Sequence, residues 1–170
     1  MEDYNVPVIG EVLEYDKESL RAYWFEYASK PMLDDGEITW YKKKNGGFLQ
    51  GVFDRLEEDL GINFTRVDKH RDAEIVNKRR SKWSDGSTTR TGNARWSPDE
   101  RVWHLTTKRG IRHARSTMVH EIGHALGLTH PKNLYFTYDT IMSYGRDRSK
   151  YYFFERDIDE LTGMYFQANI

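Results

Sequence analysis

The chain has 170 residues, 38% of them hydrophobic, which is enough for one domain with a real core and too few for two full domains. Its 27 acids and 26 bases leave a formal charge of −1, so no global field argues for nucleic acid or a membrane as partner. Cysteine is absent, which excludes disulfides, thiol catalysis and thiolate metal sites.

The first twenty residues are acidic and lack the basic start and apolar run of a secretory signal, and no stretch reaches the length of a membrane span. Compartment is therefore left open. Residues 17–29 bring Leu20, Tyr23, Trp24, Tyr27 and Ala28 to one face at helical spacing, so a short packing helix is expected there. Residues 1–36 read as an N-terminal extension carrying that helix, and 37–170 as the main domain.

After a turn-rich Pro31 to Gly36, the segment Glu37 to Lys43 alternates like a strand. From Phe48 to Leu60 a helical stripe of Leu49, Val52, Phe53, Leu56 and Leu60 follows, with Gly61 placed to end it. Two strands are expected at Ile62 to Val67 and Ala73 to Lys78. A polar stretch from Lys78 to Pro98 leads to another strand at Arg101 to Thr107. Helices are expected from about His113 to Leu126 and from about Glu155 to Ala168, the last turning Ile158, Leu161, Tyr165 and Ala168 inward. This order implies an α+β sandwich, one mixed sheet backed by two helices, with a helical C-terminal part.

Residues 120–130 read His-Glu-Ile-Gly-His-Ala-Leu-Gly-Leu-Thr-His. Four helical residues are about 400° of rotation, so His120 and His124 project from one face a turn apart, where two imidazoles can meet one ion. Glu121 is rotated roughly 100° away, out of the ligand set and toward a metal-held water. Gly127 can take a left-handed conformation that ends the helix and brings His130 back as third ligand. Three neutral imidazoles leave a fourth tetrahedral position for water, the pattern of a catalytic zinc site. Zinc can lower the pKa of that water to about 7, with Glu121 taking its proton and passing it to the leaving amine.

With this extended pattern the chain resembles the metzincin clan of zinc peptidases, with features nearest to serralysin-, astacin- and matrixin-like catalytic domains. A second feature agrees: Asp139-Thr140-Ile141-Met142-Ser143-Tyr144-Gly145 is similar to the clan's tight methionine turn. The resemblance implies a mostly parallel mixed sheet, two long helices and a C-terminal subdomain holding that turn and the final helix. It implies Met142 as a hydrophobic base under the imidazoles, without a bond to the metal. It implies Tyr144 as a phenol that steadies the oxyanion. It further implies an antiparallel edge strand that pairs with extended substrate, for which Arg101 to Thr107 is the candidate. Gly145 to Phe154 would wall the pocket for the side chain after the scissile bond, with Tyr151, Tyr152, Phe153 and Phe154 expected mainly in the core. Only eleven residues separate His130 from Met142, and the calcium-binding glycine repeats of serralysins are missing, so the clan is identified and not a family within it. Calcium, common in the clan, finds no acidic loop with ligand spacing here.

Outside the motif, His70, His104 and His113 are given no ligand role, and Asp34 or Asp35 reads as a turn before the first strand. The run Lys78-Arg79-Arg80-Ser81-Lys82 offers a surface for phosphate or an acidic partner, although a solvated loop is the plainer expectation. Asp157 suits the start of the last helix, where an acid is expected to brace the fold. The functional expectation is a monomeric zinc endopeptidase taking extended polypeptide, with no nucleic-acid or membrane partner. Its rivals are a peptidase restricted to one partner protein or cell-wall peptide, and a non-catalytic zinc-containing binding module.

Overall fold

Alternation of apolar residues along Glu37–Lys42 (β1) and Asn63–Arg66 (β2), joined by the amphipathic helix Gly47–Leu60 (α1), builds a parallel β-α-β unit at one side of the sheet. The computed structural model describes residues 25–168, with side chains through Tyr165. Ile75–Arg80 (β3), Gly92–Ser97 (β4) and Val102–Lys108 (β5) complete one sheet in the order β2-β1-β3-β5-β4. All pairs are parallel except β4 with β5. Two long helices follow, Ala114–Ala125 (α2) and Glu155–Ala168 (α3). This is the expected α+β sandwich with a mostly parallel sheet. No helix among the described residues is long and apolar enough to cross a membrane.

The core lies on one face of the sheet. Ile38, Trp40, Phe64, Ile75 and Leu105 point toward Leu49, Phe53 and Leu56 of α1 and toward Val119 and Ile122 of α2. Trp40 stacks on Phe53 with ring centroids 4.7 Å apart. The opposite face carries only a small cluster of Ala73, Val76 and Val102, with Tyr41 and Val67 against it. Gly61, with φ 68°, ends α1 by donating its N–H to Glu57 O.

Two expectations are corrected. Arg101 to Thr107 is not the edge strand: β5 is interior, paired with β3 on one side and β4 on the other. Its run is buried from both faces, Val102 on one and Trp103 and Leu105 on the other, as an interior strand requires. The antiparallel edge is β4, inside the stretch read as polar loop. Only Ala94 and Trp96 of β4 lean on the core, and its polar remainder is how an edge strand avoids mispairing. Likewise Lys78, Arg79 and Arg80 belong to β3 and are not loop.

Of the helix expected over 17–29, only a π-helical turn at Phe25–Ser29 is described; Leu20, Tyr23 and Trp24 lie outside the described residues. Phe25, Ala28 and Ser29 are its buried side, whereas Tyr27 is 59% exposed, contrary to the expected face. Ser29 Oγ donates to Ala125 O at 2.8 Å, so this turn grips the end of α2. Ile158 is half-buried and Leu161 and Tyr165 are buried as expected, while the side chain of Ala168 lies outside the described residues.

Candidate metal centre

Helix α2 leaves the carboxyl end of β5 and carries His120 and Glu121, both buried, and His124, half-buried. Gly123, between them, is required by packing: a Cβ there would lie 2.6 Å from Met142 Sδ. At Gly127 the backbone turns with φ 109°, a conformation L side chains rarely adopt, and three residues later His130 arrives beside the other two imidazoles.

The three rings present their Nε2 atoms to one point. His124 Nε2 and His120 Nε2 each lie 3.2 Å from His130 Nε2. His120 Nδ1 sits 2.9 Å from Ile141 O and His124 Nδ1 sits 3.0 Å from Leu128 O. A carbonyl only accepts, so each Nδ1 carries the proton and each Nε2 turns a lone pair inward. Burial, followed by the neighbouring histidines, holds the His120 pKa well below its ordinary value. Burial and then His130 push His124 down to about 3. Three ring nitrogens gathered this closely, two of them with lone pairs inward, suit a cation among them. A tetrahedral zinc with bonds of about 2.0–2.1 Å asks for ligand nitrogens roughly 3.4 Å apart, and the observed spacing fits it. Among the described residues these three histidines are the only group of His, Cys, Asp or Glu that could hold a metal ion. His70, His104 and His113 stand apart; His113 Nδ1 instead meets Tyr151 OH at 2.9 Å.

Glu121 is buried and faces β4. A Cβ at Gly92 would lie 2.4 Å from Glu121 Oε1, so the carboxylate abuts the backbone of the edge strand. Burial raises its pKa to about 8, against the pull of the Arg146 guanidinium. Tyr144 is 40% exposed, its ring centroid 5.3 Å from His130 and 6.1 Å from His120. Burial, followed by the Glu121 carboxylate, raises the phenol above its ordinary value, so it keeps its proton. Met142 is buried, with its Sδ against Gly123 between the two helical histidines.

The methionine turn is held from two sides. Asp157 accepts from Ile141 N at 2.8 Å, from Phe154 N at 2.9 Å and from the Thr140 hydroxyl. It thus braces the turn and caps α3 at once, in the manner of a capping box. On the other side, Leu134 O accepts from Tyr144 N at 2.8 Å and Ser143 Oγ at 2.6 Å. The segment between His130 and this turn puts Tyr135, Phe136 and Tyr138 into solvent, each more than 60% exposed, with Tyr135 against Tyr144 at 5.6 Å. Of the expected wall aromatics, Phe153 is buried and Tyr151, Tyr152 and Phe154 are half-buried.

Sequence reasoning missed Arg146. It is 5% exposed, and its Nε donates to Ser116 Oγ at 3.1 Å and its Nη1 to Ser143 O at 2.7 Å, joining the first turn of α2 to the methionine turn. Burial pushes its pKa down to about 10. Arginine is a surface residue in most contexts, and nothing in the local pattern marks this one as buried.

Residues 28–166 match the family model for matrixin peptidases. No curated protein matches the chain. Among solved structures it is similar to archaemetzincin from Methanopyrus kandleri, at 14% identity over 77% of this chain and 97% of that one, with a TM-score of 0.48. A likeness of that size carries no weight for activity.

Proposed function

The chain belongs to the matrixin family of metallopeptidases, and from that premise we propose that it is a zinc endopeptidase cleaving extended polypeptide. The observation that carries the reading is the convergence of three imidazole Nε2 atoms next to a buried carboxylate and an accessible phenol. Bound zinc supplies a Lewis acid that polarises the scissile carbonyl and acidifies a water.

The protein's own groups do the rest. His120, His124 and His130 hold the ion, with Ile141 O and Leu128 O fixing two of the rings. Glu121 takes the proton of the attacking water and returns it to the leaving amine. Tyr144 donates its hydroxyl to the oxygen of the tetrahedral intermediate. Substrate pairs with the free side of β4, which replaces β5 in this role, because Gly92 at the start of that strand touches the base. Tyr135, Phe136 and Tyr138 supply apolar surface beside His130 for substrate side chains.

The test is metal analysis together with cleavage of a quenched peptide library, on the wild type and on Glu121→Ala. One zinc in each protein with cleavage by the wild type alone is the expected result. Zinc-loaded wild type that cleaves neither the library nor denatured casein would replace the peptidase with a zinc-holding binding module or a peptidase for a single partner.

A further inference from the structure

Lys78, Arg79 and Arg80 stand on the wall of a concavity of about 910 Å³ that shares no residue with the histidine site. The four parallel strands direct their carboxyl ends to one edge of the sheet, the side on which open sheets of this kind gather ligand contacts. There β1 runs out into Lys42, Lys43 and Lys44, and Arg109 follows β5 with its amide bonded to Arg80 O at 2.8 Å. Seven full positive charges line the concavity and no acid does.

Among the described residues none of these seven is ion-paired, although arginines elsewhere are, Arg90 with Asp85 and Arg156 with Asp139 among them. In a chain with 27 acids and 26 bases, such segregation does not follow from composition. The cations also crowd one another. Burial and then Arg79 and Arg109 hold the Lys42 pKa below its ordinary value. Unneutralised cations gathered on one wall are costly, and a ligand rich in anionic oxygens answers that cost.

We infer that this concavity binds a compact anion carrying several linked phosphate groups, held by Lys78 and Arg80, which share the face of Val76, together with Lys43, Lys44 and Arg109 on its wall. Its volume lies within the range of small-molecule sites, and a lining of donors without acidic acceptors selects polyvalent oxyanions. A nucleic-acid footprint would call for a stripe along the surface in place of a hollow. The phosphate chain is either free polyphosphate or the triphosphate of a nucleotide, for which Tyr41 and His70, with rings 6.2 Å apart on the wall, would be the base contacts.

The experiment is calorimetric titration of the full chain with inorganic tripolyphosphate at about 0.15 M salt, where long-range fields are screened. Saturable binding is expected, weakened about tenfold or more by Lys78→Gln with Arg80→Gln, the size of removing two near-contact charges. Lys132→Gln with Lys150→Gln, which removes the same net charge elsewhere, should leave it unchanged. Loss confined to the first pair also excludes chelation at the histidines. Nucleoside triphosphate binding equal to that of tripolyphosphate assigns the contacts to phosphate alone, and tighter binding adds the Tyr41 and His70 rings. No saturable heat with tripolyphosphate, or equal weakening in both variant pairs, overturns the site.

Discussion

Replacing Asp157 by alanine should destabilise the fold and loosen the metal together, because one carboxylate serves both. Its oxygens accept from two buried amides, Ile141 N and Phe154 N, and from the Thr140 hydroxyl. Stranding two buried N–H groups costs about 1–3 kcal/mol each. Against that stands the relief of no longer burying a carboxylate, whose pKa burial already raises in spite of three donors. Setting about 1 kcal/mol of relief against about 2–6 kcal/mol of loss leaves a net destabilisation of about 1–5 kcal/mol. Asp157→Asn keeps an acceptor for the two amides and lets the Thr140 hydroxyl turn, so about 1 kcal/mol is expected. The effect reaches the metal because Ile141, whose N–H is held by Asp157, offers its own carbonyl to His120 Nδ1. Zinc affinity in the alanine variant should fall about tenfold, the low end for a support lying one residue beyond a ligand's partner. Urea unfolding of the metal-free protein and competition with a chelating dye read the two quantities separately. A loss of stability below about 1 kcal/mol, or unchanged zinc affinity beside a large loss, would refute the coupling.

Two further outcomes follow from close approaches elsewhere. Gly92→Ala puts a methyl 2.4 Å from Glu121 Oε1, so turnover should drop by about a hundredfold at unchanged zinc content, as measured by peptide hydrolysis and metal analysis. Unaltered turnover would separate β4 from the base. Glu74 accepts from Thr39 N and Thr39 Oγ1, yet burial, reinforced by Asp35 and Glu37, raises its pKa from 4.5 to about 7. A raised carboxyl favours the fold while protonated, so its contribution is lost as pH rises from about 4.5 through about 7. Glu74→Gln should match the wild type in urea midpoint near pH 4 and exceed it near pH 8, by up to about 1 kcal/mol once solvent screening is discounted. Equal midpoints at both values would show Glu74 to be unperturbed.

The elements with strong period were legible from the residues alone. Leu49, Val52, Phe53 and Leu56 announced α1, and the glycine after it ended the helix where expected. The edge strand was not, and the reason is physical. A strand paired on one side only keeps its polar residues, so Gly92 to Ser97 looks like loop until its partner is known. Conversely the apolar density of Val102 to Leu105 marks an interior strand, not an edge.

The metal centre divides in the same way between what spacing determines and what only packing reveals. Helical geometry places His120 and His124, and a backbone turn at Gly127 places His130, all within eleven consecutive residues. Leu128 O receives His124 from within the motif, but the other supports come from farther along the chain: Ile141 O receives His120, Asp157 fixes Ile141, and Arg146 ties Ser143 back to Ser116. None of these contacts has a period or a spacing of its own. They matter because imidazoles whose lone pairs face one another at 3.2 Å would separate without the ion unless anchored from behind. The Leu128 carbonyl in the motif, and a carbonyl and a buried carboxylate from the methionine turn and α3, provide that anchoring, so the site's geometry is a property of the folded C-terminal part as much as of the eleven-residue motif.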